Sequence, residues 1–153
     1  AEMRKVIMTD LLMISRVEKP ARAIQFIDEV VGQFDFSSSE LLEIFQWKLN
    51  LARQLKDNSM TDSILDQMIN LEGVVGETRQ RLIVKKIYLM VGSGRRDQAM
   101  VLLDNSIAKA QSKLNKRRSN NSQRLLAESH DIAFRKKQAR TLSRWFGILN
   151  RVS

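Results

Sequence analysis

Arg81-Leu82-Ile83-Val84-Lys85-Lys86-Ile87-Tyr88-Leu89-Met90-Val91, then Gly92-Ser93-Gly94, then Arg95-Arg96-Asp97-Gln98-Ala99-Met100-Val101-Leu102-Leu103 reads as two helices and a tight turn. Glycine turns the chain through backbone conformations that are costly for other residues. Two antiparallel helices joined this closely share an apolar seam. The second helix carries Ala99, Leu102, Leu103, Ile107, Ala110 and Leu114 and is expected to run to about Lys116.

Earlier stretches read as weaker copies. Val6, Ile7, Leu11, Ile14 and Val17 stand at helical spacing. Pro20 then suits the first turn of a new helix, where its missing N–H has no intrahelical partner. Ala23, Ile24, Ile27, Val30, Val31 and Phe34 form the stripe of that second helix. Ser37 and Glu40 are spaced as a capping box. Leu41, Leu42, Phe45, Leu49, Ala52 and Leu55 continue the third helix, with Trp47 on its flank. Asp57-Asn58-Ser59 supplies the next N-cap, and Ile64, Leu65, Met68 and Leu71 follow it.

Composition sets outer limits. A chain of 153 residues suits one domain that buries roughly 70% of its unfolded surface. One proline and six glycines favour long helices and leave too few turn signals for a β fold. There is no cysteine, which removes disulfides and thiolate metal sites and fits a reducing compartment. No apolar run approaches a membrane span, and no signal peptide is visible. A cytoplasmic protein is expected, or a nuclear one in a eukaryote. The start at Ala1, ahead of Met3, reads as a domain of a longer regulatory or assembly protein.

The charge is uneven. Residues 105–153 hold 12 Lys and Arg against two acidic residues, so the whole net charge of +9 originates in the last third. Within it, Arg117-Arg118-Ser119-Asn120-Asn121-Ser122 reads as a hinge loop over 117–122. A basic amphipathic helix is expected over 123–150. Ile132, Ala139, Leu142, Trp145, Phe146 and Leu149 fall in one arc and Lys136, Arg140, Arg144 and Arg151 in another, with Arg135 intruding on the apolar side.

Setting Ala23, Ser63 and Ala99 as equivalent gives spacings of 40 and 36 residues, and Ile7, Trp47 and Ile83 align ahead of them. A two-helix unit of this period marks an α-solenoid. Val91-Gly92-Ser93-Gly94-Arg95-Arg96-Asp97-Gln98-Ala99 resembles the turn and second-helix opening of a tetratricopeptide-like repeat, and Pro20 to Ile24 is a poorer copy. The small residue that family places twelve positions earlier is replaced by Leu11, Leu51 and Ile87, and its closing proline is missing. The resemblance covers about residues 3–116. It implies an all-α, right-handed superhelix of about three hairpins with a groove for a protein or peptide, closed by the basic helix. A bundle without repeats is the alternative.

No residue pattern supports an enzyme, a cofactor or a metal. His130, the sole histidine, reads as a solvated helix residue. Gly92-Ser93-Gly94-Arg95-Arg96 lacks the rest of a phosphate loop and reads as a plain interhelical turn. Phe45, Trp47, Tyr88 and Met90 are candidate groove residues, with core packing as the alternative. Lys116, Arg117, Arg118, Arg124, Lys136, Lys137, Arg140 and Arg144 form a candidate basic patch. Nucleic-acid phosphates could engage it across 109–151, as could an acidic protein, while a membrane surface is the weakest fit. Alternatively it merely keeps a capping helix soluble. The expected function is a scaffold or adaptor, with a nucleic-acid-binding protein as the second reading; the oligomeric state stays open.

Overall fold

The computed structural model describes the backbone of residues 2–121 and 128–152 and the side chains of residues 2–117 and 135–152. Among the described residues the chain is all-α: α1 (Glu2–Val17), α2 (Pro20–Gln33), α3 (Ser38–Gln54), α4 (Asn58–Ile69), α5 (Gly76–Gly92), α6 (Arg96–Asn121) and α7 (Glu128–Val152). Where the sequence suggested one domain, contacts separate two compact units, Ala1–Leu89 and Met90–Ser153. No Pro-, Gly- or Ser-rich linker announces the division, because it falls inside α5.

In the first unit, helix starts are fixed locally. Ser37 and Glu40 form the expected capping box: the Glu40 N–H donates to Ser37 Oγ, and the Ser37 N–H donates to Glu40 Oε1 at 3.0 Å. Asp57 caps α4 through the Met60 N–H at 2.9 Å. Pro20 opens α2 without a side-chain cap.

Packing centres on α3, which meets α1, α2 and α4. Its Ile44 and Leu51 join Leu11, Ala23, Ile24 and Ile27 in one core cluster. Its Leu49 and Ala52 join Ile64, Leu65, Met68, Val74 and Leu82 in another. The third helix is therefore buried on two sides, and the single stripe read from sequence missed Ile44 and Leu51. On α1 the core face is Ile7, Met8, Leu11 and Ile14, while Val6 and Val17 are exposed. Phe34 lies beyond the end of α2, edge-on to Phe36 with centroids 6.4 Å apart.

A spacing of 38 residues recurs through these elements. Ala23, Thr61 and Ala99 each sit one turn into their helix, with the N–H bonded to the carbonyl of Lys19, Asp57 and Arg95, and all three are buried. Ser63, the residue matched to them from sequence, is exposed. Leu11, Leu49 and Ile87 are buried at the same spacing, as are Ile27, Leu65 and Leu103. The turn after α3 and the turn after α5 share two bonds: Lys56 N–H to Arg53 O matches Gly94 N–H to Val91 O, and Asp57 N–H to Ala52 O matches Arg95 N–H to Met90 O. Lys56 and Gly94 both take the left-handed conformation, at φ 54° and 80°.

An ion pair obeys the same spacing. Lys48 on α3 binds Asp28 on α2, and Lys86 on α5 binds Asp66 on α4. Lys48 is buried, and its amine pairs with exposed Asp28 and sits 5.5 Å from the centroid of the Phe45 ring.

In the second unit α6 packs against α7. Arg96, in the first turn of α6, donates from its guanidinium to the Val152 carbonyl in the last turn of α7, so the helices run antiparallel. The bond also satisfies a carbonyl that the helix end leaves without a partner. α6 buries Ala99, Leu103, Ile107 and Ala110, and α7 buries Trp145, Ile148 and Val152. These spacings of three and four residues are those of a helix–helix seam. Where a hinge was expected over 117–122, α6 instead continues to Asn121, and Ser122 lies outside the described residues. Ser and Asn each weaken a helix by only about 0.5 kcal/mol relative to Ala, and no Gly or Pro stands in the segment to end it.

Candidate binding surfaces

The second unit concentrates positive charge, with 14 Lys and Arg against four Asp and Glu in residues 90–153. On α6, Lys109, Lys113, Lys116 and Arg117 are exposed. On α7, Lys136, Lys137, Arg140 and Arg144 are exposed. The side chains of Arg118 and Arg124 lie outside the described residues, as does that of His130.

The apolar side of α7 differs in detail from the expected arc. Trp145 is buried and Leu142 and Leu149 are half-buried, but Phe146 is 42% exposed. Ile148 and Val152, absent from the sequence reading, complete the buried face. Arg135 and Ala139 are exposed, so the apparent clash of Arg135 with the apolar arc does not arise. At ~100° per residue Trp145, Ile148 and Val152 fall within about 60° of one another and Phe146 stands about 100° or more from each, so the arc read from sequence was centred too far toward Phe146 and Ala139.

Among the candidate groove residues, Phe45 and Trp47 do not share a groove. Phe45 and Trp47 are two positions apart on α3 and point to opposite sides. Phe45 packs on the cluster with Leu49 and Leu65, and Trp47 on the cluster with Leu11 and Ile27. Met90 is buried. Tyr88 is exposed. The aromatic pair on α3 serves the core because that helix is covered on both flanks.

Two surface clefts are present instead in the first unit. One, of about 710 Å³, lies between α1 and α3 and is lined by Arg4, Lys5, Met8, Thr9, Glu40 and Glu43. Hydrogen bonds from the Ser37 backbone N–H and hydroxyl, aided by Arg4, hold the Glu40 carboxyl below its ordinary value of 4.5. Arg4 reaches Glu40 at 3.7 Å and also donates to the Asp35 carbonyl. The wall is thus a fixed mixture of both charges around the Met8 thioether. The other cleft, of about 550 Å³, lies among α2, α3 and α4 beside the Asp28–Lys48 pair, with Ser59, Ser63 and Gln67 on its rim.

The Gly92-Ser93-Gly94-Arg95-Arg96 turn uses its donors internally. The Gly94 and Arg95 N–H groups close the end of α5, Arg95 Nε donates to Ser93 Oγ at 3.3 Å, and Arg96 holds α7. Among the described residues no three His, Asp or Glu side chains converge as metal ligands, and no helix is long and apolar enough to cross a membrane.

No family model, curated protein or solved structure matches the chain. Its function is therefore argued from its own geometry.

Proposed function

We propose that the chain is a non-catalytic scaffold or adaptor, built from tetratricopeptide-like helical hairpins that stack as a short right-handed solenoid. The observation that carries this reading is the 38-residue recurrence. It joins three independent kinds of feature at one spacing: buried positions, turn hydrogen bonds and the Lys–Asp pairs. In such a stack each hairpin buries its flank on the next, which is the role of two-sided α3. First helices then lie side by side, and the mixed-charge cleft between α1 and α3 is the natural seat for a peptide. A ligand carrying both charges around a short apolar residue fits its wall.

Screening the full chain against a displayed peptide library tests the reading. Peptides retained by the parent are expected to lose at least tenfold in affinity when Met8→Arg and Glu43→Arg are combined, since both residues line the cleft and Glu43 is exposed. Circular dichroism would confirm that the variant keeps its helices. Equal retention by parent and variant would remove the cleft as the site.

The exposed cations of the second unit support a second reading, binding to nucleic-acid phosphates. Contacts of that kind position a protein on a backbone without reading sequence.

A further inference from the structure

Among the described residues nothing covers one apolar face of α1. Met3, Val6, Met13 and Val17 are 73, 58, 55 and 76% exposed. They follow one another at helical spacing, with exposed Asp10 at the centre of the stripe. Scattered apolar residues on a surface need no explanation, but a continuous stripe along a helix does.

The 38-residue spacing states what such a face does elsewhere in the first unit. Val6, Asp10 and Met13 correspond to Ile44, Lys48 and Leu51 on α3 and to Leu82, Lys86 and Leu89 on α5. On α3 these residues bury against α1 and α2, and Lys48 takes Asp28. On α5, Leu82 and Leu89 pack on the cluster of α3 and α4, and Lys86 takes Asp66. In both cases the face docks onto the preceding hairpin through two apolar contacts flanking one ion pair. On α1 the apolar contacts are kept, while the charge is reversed from lysine to aspartate.

We propose that the Met3–Val6–Asp10–Met13–Val17 face of α1 docks an amphipathic helix of a partner protein that carries a Lys or Arg amid its apolar residues, where α2 and α4 carry Asp28 and Asp66. The sign of the central charge selects this occupant. A second copy meeting the face through its own α1 about a two-fold axis would set Asp10 against Asp10, a like-charge contact in a desolvated seam. A second copy offering α2 or α4 would present another aspartate, on a flank that α3 or α5 already covers. A cationic partner helix meets neither obstacle and forms the ion pair of the internal interfaces with its polarity exchanged.

The proposal rests on the stacked-hairpin reading. Its test uses the full chain and two hydrocarbon-stapled helical peptides with the sequence of residues 20–34. One keeps Asp28 and the other carries Asp28→Lys. The parent is expected to bind the lysine peptide roughly tenfold more tightly than the aspartate peptide, about 1.4 kcal/mol in binding free energy. Asp10→Lys in the chain should invert that preference, and Val6→Glu should weaken both peptides. These side chains are exposed, so the variants are expected to melt close to the parent, which a thermal scan checks. The proposal is overturned if neither peptide binds at about 1 mM, or if the preference ignores the charge at residue 10. Concentration-dependent dimerisation of the parent that Val6→Glu abolishes would also overturn it, in favour of self-association. The stacking itself is tested separately, by exchanging Asp66 and Lys86. Success there with failure of the peptides removes the docking face and leaves the stack.

Discussion

At residue 56 the chain carries a side chain in a conformation that suits glycine. Lys56 follows α3 with φ 54°, and its counterpart after α5 is Gly94 at φ 80°. The hydrogen bonds of the two turns are the same, so the backbone shape is required by the helix end and not by the side chain. A left-handed L-residue costs about 1–2 kcal/mol, partly offset by the greater freedom glycine has when unfolded. Lys56→Gly is therefore expected to stabilise the protein by about 0.5–1 kcal/mol, read as a higher urea midpoint with unchanged slope. A lower midpoint would show that the lysine makes a compensating contact. Legibility at this scale follows range. The Ser37–Glu40 box and the Asp57 cap were readable because both partners lie within one turn. The burial of Lys48 was not, because the carboxylate that admits its amine stands twenty residues earlier, on another helix.

Helices themselves were legible, and their faces less so. Every predicted helix has an observed counterpart, since few prolines and glycines interrupt the apolar periodicity. One stripe per helix is the natural sequence reading, however, and α3 needs two. The sequence reading aligned Ser63 with Ala23 and Ala99 because a serine looks like a small residue, but the buried residue 38 positions from each of them is Thr61. A threonine whose hydroxyl donates to the Asp57 carbonyl at 2.8 Å can be buried equally well. The 38-residue spacing makes a testable demand on the elements. Asp66→Lys alone places two cations together, and Lys86→Asp alone places two anions together. Asp66 is nearly half exposed, so screening limits each single loss to about 1 kcal/mol. The double exchange should recover most of both losses in a chemical-denaturation cycle, giving a coupling of about 2 kcal/mol. Additive losses would mean that the pair does not join α4 to α5.

Over the whole molecule, the division of charge was plain from sequence and the division of structure was not. The first unit is close to neutral, with 12 basic and 13 acidic residues in 1–89, while the second holds a net +10. A boundary inside a helix has no compositional mark, so 1–153 read as one domain. The burial of Trp145 on α7 separates two roles that the basic third left entangled: one side of the helix packs, and the cations occupy the other. Because packing and charge lie on different sides, the charge can be changed without unfolding the hairpin. Lys136→Glu, Arg140→Glu and Arg144→Glu together are expected to leave the thermal transition within a few degrees of the parent. If the cationic face binds nucleic acid, the parent should hold a duplex or single strand at low salt, and the triple variant should not. Each phosphate neutralised contributes about −0.9 to the slope of log K against log salt on a duplex, so three lost contacts should flatten that slope by about 2–3. A filter-binding series from low to physiological salt reads both quantities. Binding by the parent with a shallow slope, unchanged in the variant, would place the contact elsewhere, and absence of binding at low salt would leave the hairpin as a charged cap whose cations serve solubility alone.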